Sequence, residues 1–212
     1  KLKFRLGLFE NPYIDESLAR QVAYAPEHLA AAKQSAVESA ILLQNNNDVL
    51  PLKSAKRILV TGPMADAPYD QLGTWAFDGE EAYTVTPLTA LRKDYEVVYE
   101  PALAYSRDAS TAGIPAAVAA ARSVDAVVAF VGEEAILSGE AHSLSQINLQ
   151  GAQSELIKAL KATGKPIVVV VIAGRNLTIE RDLENCDAML YSFHPGTMGG
   201  EALADPAAPA GT

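Results

Sequence analysis

The sequence has one cysteine, Cys186, among its 212 residues, and it has no long apolar run. A single cysteine cannot form an intramolecular disulfide, so cysteine usage does not indicate a redox compartment. Because Cys186 lies just before a predicted strand, we expect it to be a small buried side chain. No apolar run reaches the roughly 18–20 residues that a membrane-spanning helix needs, so we predict no membrane partner.

Positive charge is also scarce. The 17 Lys and Arg residues are outnumbered by 26 Asp and Glu residues, which gives a formal net charge of −9. Nucleic acids are polyanions that are bound through clusters of basic residues, and this sequence has no such cluster. The charge therefore argues against a nucleic-acid partner, whereas a neutral ligand such as a sugar is compatible with it.

Motifs of several enzyme classes are missing. There is no Gly-x-Ser-x-Gly elbow, although His142 and His194 both follow predicted strands, and this removes the main support for a serine hydrolase. The first predicted strand is followed by neither a Gly-x-Gly-x-x-Gly pattern nor a P-loop, which disfavours a nucleotide site. Three scattered histidines and one cysteine show no metal-ligand spacing. We therefore predict neither a cofactor nor a metal.

From residue 51 onward the sequence alternates between apolar strands and helices. Strands that are apolar at every residue are buried on both faces, as in a parallel sheet covered by helices. Alternation with helices long enough for crossovers predicts an α/β fold with a doubly wound, mostly parallel sheet sandwiched by helices, of flavodoxin-like type. The predicted strands are 57–62, 97–99, 125–132, 167–172 and 187–193, and the predicted helices are 86–93, 114–123 and 151–161.

A further helix is predicted upstream, beginning at Pro26. A proline in the first turn and Glu27 near the positive end of the helix dipole favour a helix start at this point. Leu29, Ala36 and Leu43 continue at helical spacing, so we expect the helix to extend to the polar residues 45–48.

The loop after the predicted strand 125–132 is the first candidate for a functional site, because ligands of doubly wound sheets bind at the carboxyl ends of the strands. This loop carries Glu133, Glu134, Glu140 and His142. A glutamate there can point into a cleft, where partial desolvation raises its pKa toward the value a general acid needs. Acidic loops are more often simply solvated, and the spacing alone does not decide between the two interpretations.

Two glycine-rich segments also have two interpretations each. Trp75, the one tryptophan, lies with Phe77 in the segment 72–79, where an aromatic ring either stacks on a sugar or packs locally. The segment 196–200 either opens a helix whose free N–H groups bind an anion or forms a flexible turn.

Segments in consistent order over nearly the whole chain carry a resemblance to a known family. They are Leu8-Phe9-Glu10-Asn11-Pro12-Tyr13, Glu38-Ser39-Ala40-Ile41-Leu42-Leu43-Gln44-Asn45, Leu50-Pro51-Leu52, Val60-Thr61-Gly62-Pro63-Met64-Ala65-Asp66, Leu72-Gly73-Thr74-Trp75, Val131-Gly132-Glu133, Ser138-Gly139-Glu140-Ala141, Gly164-Lys165-Pro166, Gly174-Arg175 and His194-Pro195-Gly196-Thr197-Met198-Gly199-Gly200. The set resembles the second domain of family 3 glycoside hydrolases of the bacterial β-glucosidase/β-xylosidase type. No one segment is decisive, but together they are specific.

The resemblance implies a retaining exo-acting β-glycosidase that hydrolyses terminal β-linked glucose or xylose. Glu140 falls on the family's general acid/base, with Glu133 as the reserve candidate, and the nucleophile would be an aspartate on a separate barrel domain. Retaining chemistry requires these two carboxyl groups about 5–5.5 Å apart. The expected partners are a β-linked oligosaccharide or glycoside and the missing barrel domain. The expected substrate-binding residues are Trp75, Phe77 and His142.

The same resemblance divides the chain into three parts: 1–12, a remnant of the barrel exit; 13–50, a linker with the helix; and 51–212, the sandwich domain. It implies a truncated piece of a larger two- or three-domain protein, inactive alone, and favours a periplasmic or secreted location. The chain departs from the family's pattern at Leu144, at Gln150 and in 206–212, so we expect an incomplete or atypical C-terminal part. The alternatives are a non-catalytic α/β binding or interaction module and an independent hydrolase with its own catalytic set.

Overall fold

The computed structural model describes residues 1–205, except for the side chain of Arg20. The chain forms two compact units, Lys1–Ala31 and the remainder from Ala32. The first unit contains α1 (Leu2–Arg5), α2 (Ser17–Val22) and the first turns of α3 (Pro26–Ser39). Its apolar side chains are largely exposed, and the rings of Phe4 and Phe9 lie 4.6 Å apart. The predicted division into a barrel remnant, a linker and a sandwich domain stays a prediction.

The described residues of the second unit form one six-stranded mixed sheet. Its strands are β1 (Ile41–Asn45), β2 (Arg57–Thr61), β3 (Glu96–Glu100), β4 (Ala126–Gly132), β5 (Ile167–Ile172) and β6 (Ala188–Tyr191). They are ordered β1-β6-β5-β4-β2-β3, and every neighbouring pair is parallel except β1 with β6. Without β1, the order from β3 to β6 is the 2-1-3-4-5 arrangement of flavodoxin-like folds. The predicted doubly wound, mostly parallel sheet is confirmed.

Helices cover both faces of the sheet. They are α4 (Pro68–Leu72), α5 (Pro87–Leu91), α6 (Ile114–Ala121), α7 (Gln153–Lys161), α8 (Glu180–Leu183) and α9 (Gly199–Leu203). Successive strand side chains point to opposite faces, so Leu59 and Val127 belong to a buried cluster with α6 and α7, while Ile58 and Val128 belong to a second cluster with α5. Two cores explain why these strands are apolar at every residue.

The predicted end of the first long helix is wrong. The helix α3 ends at Ser39, and 41–45 form the edge strand β1, in which Ile41 pairs with Tyr191. At the end of the strand, the Asn45 side chain accepts the Leu50 N–H at 2.9 Å and donates to the Leu50 carbonyl at 3.0 Å, which closes the following turn. Apolar spacing permits a helix here, but the pairing available from β6 overrides that local preference.

The prediction that Cys186 is a small buried side chain is confirmed, since Cys186 is buried just before β6. No helix in the described part of the chain is both long and apolar enough to cross a bilayer.

Candidate functional site

The loops that follow the parallel strands meet at the carboxyl edge of the sheet. A Cβ at Gly174, after β5, would overlap Ser138 of the loop after β4 and lie 2.7 Å from His194 Cε1, after β6. A Cβ at Gly73, where φ is +90°, would lie 2.7 Å from His194 Cγ. The two glycines therefore allow four connecting segments to approach closely, which larger residues would prevent.

Hydrogen bonds fix the segment 72–79 against the loop after β4. Thr74 Oγ1 lies 2.6 Å from the Ala135 carbonyl oxygen, to which it donates, and 2.7 Å from Ser138 Oγ. From α4, the Asp70 carboxylate accepts the Ala135 N–H at 2.8 Å. Burial raises the pKa of Asp70, and the hydrogen bond from Ala135 opposes that rise. The Trp75 segment and the glutamate-bearing loop thus form one connected edge.

Trp75 and Phe77 form an exposed aromatic pair beside this loop. Their ring centroids lie 6.2 Å apart with the planes at 65°, and the side chains are 60% and 79% exposed. A Cβ at Gly139 would lie 3.5 Å from Trp75 Cζ2, so the indole ring borders the residue before Glu140. Neither ring belongs to a core cluster, which argues against the local-packing interpretation; contact with a sugar stays a prediction.

Glu140 and His142 lie in the exposed outer part of the loop. The His142 ring nitrogen Nδ1 is 2.8 Å from the Glu140 carbonyl oxygen, and Ala141 between them adopts a positive φ of +61°, which turns the chain. The Glu140 carboxylate forms no hydrogen bond or ion pair within the described residues. It is therefore open to a ligand or to a second protein surface.

Glu133, unlike Glu140, is buried and paired with an arginine. Its side chain is completely buried, and its Oε2 accepts a hydrogen bond from Arg175 Nε at 3.0 Å. Burial raises the pKa of Glu133, and the Arg175 guanidinium partly counteracts that rise. Its other oxygen, Oε1, is buried without a partner among the described residues. This carboxylate faces the interior, so the geometry favours Glu140 over the reserve candidate.

Glu134 is held by a second arginine. Arg107 Nη2 lies 3.1 Å from Oε1 and Arg107 Nε 3.2 Å from Oε2, while Ser106 Oγ donates to Oε2 at 2.7 Å. Burial would raise the pKa of Glu134, but the hydrogen bonds from Arg107 and Ser106 outweigh it and lower the pKa. Two of the three glutamates are thus paired with arginines, and Glu140 is the unpaired one.

The comparisons with known proteins show the family of this domain. Residues 40–206 match the model of the glycosyl hydrolase family 3 C-terminal domain. The chain belongs to this family. Its relatives include the periplasmic β-glucosidase of Salmonella typhimurium, 34% identical over 96% of this chain and 30% of that protein. A β-xylosidase of Formosa agariphila is 33% identical over 96% of this chain and 29% of that protein.

Solved structures of family 3 enzymes share the fold. The β-glucosidase from Listeria innocua, in complex with isofagomine, superposes with a TM-score of 0.87 at 37% identity, covering 96% of this chain and 28% of that one. An exo-β-xylosidase in complex with a xylobiose aziridine probe gives a TM-score of 0.77 at 32% identity, covering 84% of this chain and 23% of that one. The chain therefore spans less than a third of these relatives.

The contacts of Arg175 in this family 3 domain were not predicted from the sequence, in which Arg175 belongs only to the segment Gly174-Arg175 of the resemblance. Its guanidinium donates to Glu133, to the Leu137 carbonyl and, at 3.1 Å, to the His142 carbonyl. The available signal was a cation directly after the apolar strand β5, at the edge where an acidic loop follows β4. A cation at the edge where an acidic loop leaves a buried strand predicts an ion pair with a carboxylate of that loop.

His194 and the glycines that follow it serve the packing of the domain. Burial lowers the pKa of His194, whose Nε2 is buried and has no partner in the described range 1–205. Of the two interpretations of 196–200, the structure supports a helix start, because α9 begins at Gly199. Its first two N–H groups are already bonded, Gly199 to the Gly196 carbonyl at 3.0 Å and Gly200 to the Val85 carbonyl at 2.9 Å. The described residues contain no cluster of three or more His, Cys, Asp or Glu side chains suited to a metal ion.

Proposed function

We propose that this chain is the acid/base domain of a retaining, exo-acting β-glycosidase that removes terminal β-linked glucose or xylose. Its similarity to a β-glucosidase and a β-xylosidase supports that substrate class. Because the chain spans about 30% of these relatives, the proposal places the nucleophile, an aspartate, on a barrel domain outside this sequence.

One observation carries the proposal. In the loop after β4, Glu133 and Glu134 are each paired with an arginine, whereas Glu140 is exposed and unpaired, directly after the glycine that the Trp75 indole borders. The hydrogen bonds from Arg107 and Ser106 lower the pKa of Glu134 and make it a poor proton donor, because they stabilise the charged form. Glu133 has a raised pKa, but its side chain is completely buried and cannot reach a ligand. Glu140 is therefore the carboxyl group of this loop that is free to exchange a proton with a bound ligand.

The proposed mechanism divides the chemistry between the two domains. Glu140 protonates the glycosidic oxygen while the barrel aspartate attacks the anomeric carbon, and Glu140 then removes a proton from the water that releases the sugar. On this chain Glu140 is exposed, so its desolvation would come from docking of the barrel onto this edge. Trp75 and Phe77 would stack on the apolar face of a sugar, and His142 would contact a hydroxyl group.

The test is the substitution Glu140→Ala in the complete enzyme. A general acid contributes most when the leaving group is poor, so disaccharide hydrolysis should fall on the order of 10²–10⁴-fold. A dinitrophenyl glycoside departs without a proton and should suffer far less in the glycosylation step. Added azide should replace the water that the missing carboxylate no longer activates, and should yield a β-glycosyl azide.

Glu134→Gln is the matched control, since it removes a carboxylate from the same loop that is already paired with Arg107. It should leave the leaving-group dependence of the reaction intact. The 212-residue chain without the barrel should give only background hydrolysis of aryl β-glucosides. The proposal would be contradicted if Glu140→Ala slowed hydrolysis of the disaccharide and of the dinitrophenyl glycoside equally, or if the 212-residue chain alone hydrolysed aryl β-glucosides above background. Glycoside binding without any role of Glu140 in turnover would favour the non-catalytic binding module.

A further inference from the structure

The outer part of the loop that carries Glu140 is not held by apolar packing. Every residue in 139–143 is exposed, including Glu140 itself. A general acid must nevertheless lie within hydrogen-bond distance of the atom that it protonates. Some other interaction has to hold this part of the loop in place.

The Arg175 guanidinium holds the loop on both sides of Glu140. Its Nη2 donates to the Leu137 carbonyl, three residues before Glu140, and at 3.1 Å to the His142 carbonyl, two residues after it. Its Nε donates at 3.0 Å to Glu133, where the loop leaves β4. One planar group thus connects three points of the loop and closes the short segment that contains the acid.

Arg175 is itself anchored to the sheet. The Tyr191 hydroxyl, on β6, donates to the Arg175 carbonyl oxygen and accepts the Leu177 N–H at 3.1 Å. Tyr191 is buried, and Glu133 on the other side of the guanidinium is completely buried. Arg175 therefore connects the sheet to the segment 137–142, of which residues 139–142 are exposed.

We infer that Arg175 is a positioning residue that holds Glu140 at the place where it transfers its proton, an inference that rests on the function proposed above. A misplacement of about 1 Å in a catalytic group can reduce the rate about 10²-fold. Lysine cannot replace the arginine here. Its ammonium retains the charge that neutralises Glu133, but it lacks the planar fork needed to reach the two carbonyl groups at the same time.

The experiment uses Arg175→Lys in the complete enzyme, with Arg107→Lys as the matched control. Arg107 pairs with Glu134 of the same loop, but its described hydrogen bonds reach neither carbonyl beside Glu140. For Arg175→Lys we expect kcat on a disaccharide to fall about 10–10²-fold, with the glycosylation rate on a dinitrophenyl glycoside nearly unchanged. Arg107→Lys should change both rates by no more than about twofold.

A second readout does not depend on activity. Amide hydrogen exchange in 137–142 should become faster in Arg175→Lys and remain unchanged in Arg107→Lys. If Arg175→Lys fails to fold, the double variant Arg175→Gln/Glu133→Gln removes both charges of the ion pair together and should give the same kinetic and exchange pattern. Unchanged exchange in the folded variants would overturn the inference.

Variants of Glu140 separate this inference from the proposed function. If Arg175 acts through Glu140, adding Arg175→Lys to Glu140→Ala should slow disaccharide hydrolysis little further. A different outcome is that Glu140→Ala shows the expected leaving-group dependence while Arg175→Lys slows hydrolysis of both substrates equally or slows hydrolysis of neither substrate. In that case the positioning role of Arg175 is wrong and the proposed function stands. A Glu140→Ala enzyme without leaving-group dependence would overturn both.

Discussion

Removing the positive charge beside Glu133 should destabilise the chain in a way that depends on pH. Glu133 is completely buried and Arg175 is 21% exposed, so water screens their interaction little. Arg175→Met leaves an uncompensated buried carboxylate, a change that costs about 3–5 kcal/mol of unfolding free energy near neutral pH. The loss of hydrogen bonds to the Leu137 and His142 carbonyls adds about 0.5–1.5 kcal/mol for each bond.

The pH dependence follows from the pKa of Glu133, which burial raises even in the presence of Arg175. A carboxyl group whose pKa is higher in the folded chain than in the unfolded chain stabilises the fold while it is protonated, and this stabilisation is lost as the pH rises through the folded-state pKa. Without Arg175 that pKa rises further. Over the range where only the folded chain holds the proton, the unfolding free energy falls by about 1.4 kcal/mol per pH unit.

Urea unfolding of the 212-residue chain, followed by far-ultraviolet circular dichroism, measures this effect. The deficit of Arg175→Met relative to the unsubstituted chain should be larger at pH 7.5 than at pH 5, because the lower pH favours protonation of Glu133 in the folded variant. The double variant Arg175→Met/Glu133→Gln should recover part of the loss at pH 7.5, because no buried charge remains. A deficit equal at both pH values, or a double variant no more stable than the single one, would refute the reasoning.

Two further predictions concern Trp75 and Cys186. In the complete enzyme, Trp75→Ala should raise KM more than it lowers kcat, since stacking holds the substrate and the transition state alike. Steady-state kinetics measure this, with Tyr105→Ala, which removes an exposed aromatic on another loop, as the control. A fall in kcat alone in Trp75→Ala would contradict a sugar platform. Burial raises the pKa of Cys186 to about 12, so a thiol reagent at pH 8 should label the chain in urea but not the native chain, and rapid native labelling would show that the thiol is accessible.

The candidate loop could be predicted from the sequence, but the different environments of its glutamates could not. An apolar strand ending at Gly132 and followed by polar residues is a local pattern, and it correctly located the edge of the sheet. Glu133, Glu134 and Glu140 look alike in the sequence. Their differences come from Arg175, which contacts the loop across sequence separations of 33–42 residues, and from Arg107, 27 residues from Glu134.

What the sequence by itself determined is therefore the alternation of strands and helices and the mostly parallel sheet with two buried faces. These features follow from the periodicity of apolar residues and from glycine content, which act over a few neighbouring positions. Only the tertiary structure decided that 41–45 form β1 and that Arg175 holds the loop around Glu140. Strand pairing and ion pairing depend on groups that folding brings together from distant parts of the chain, and local spacing contains no measure of that proximity.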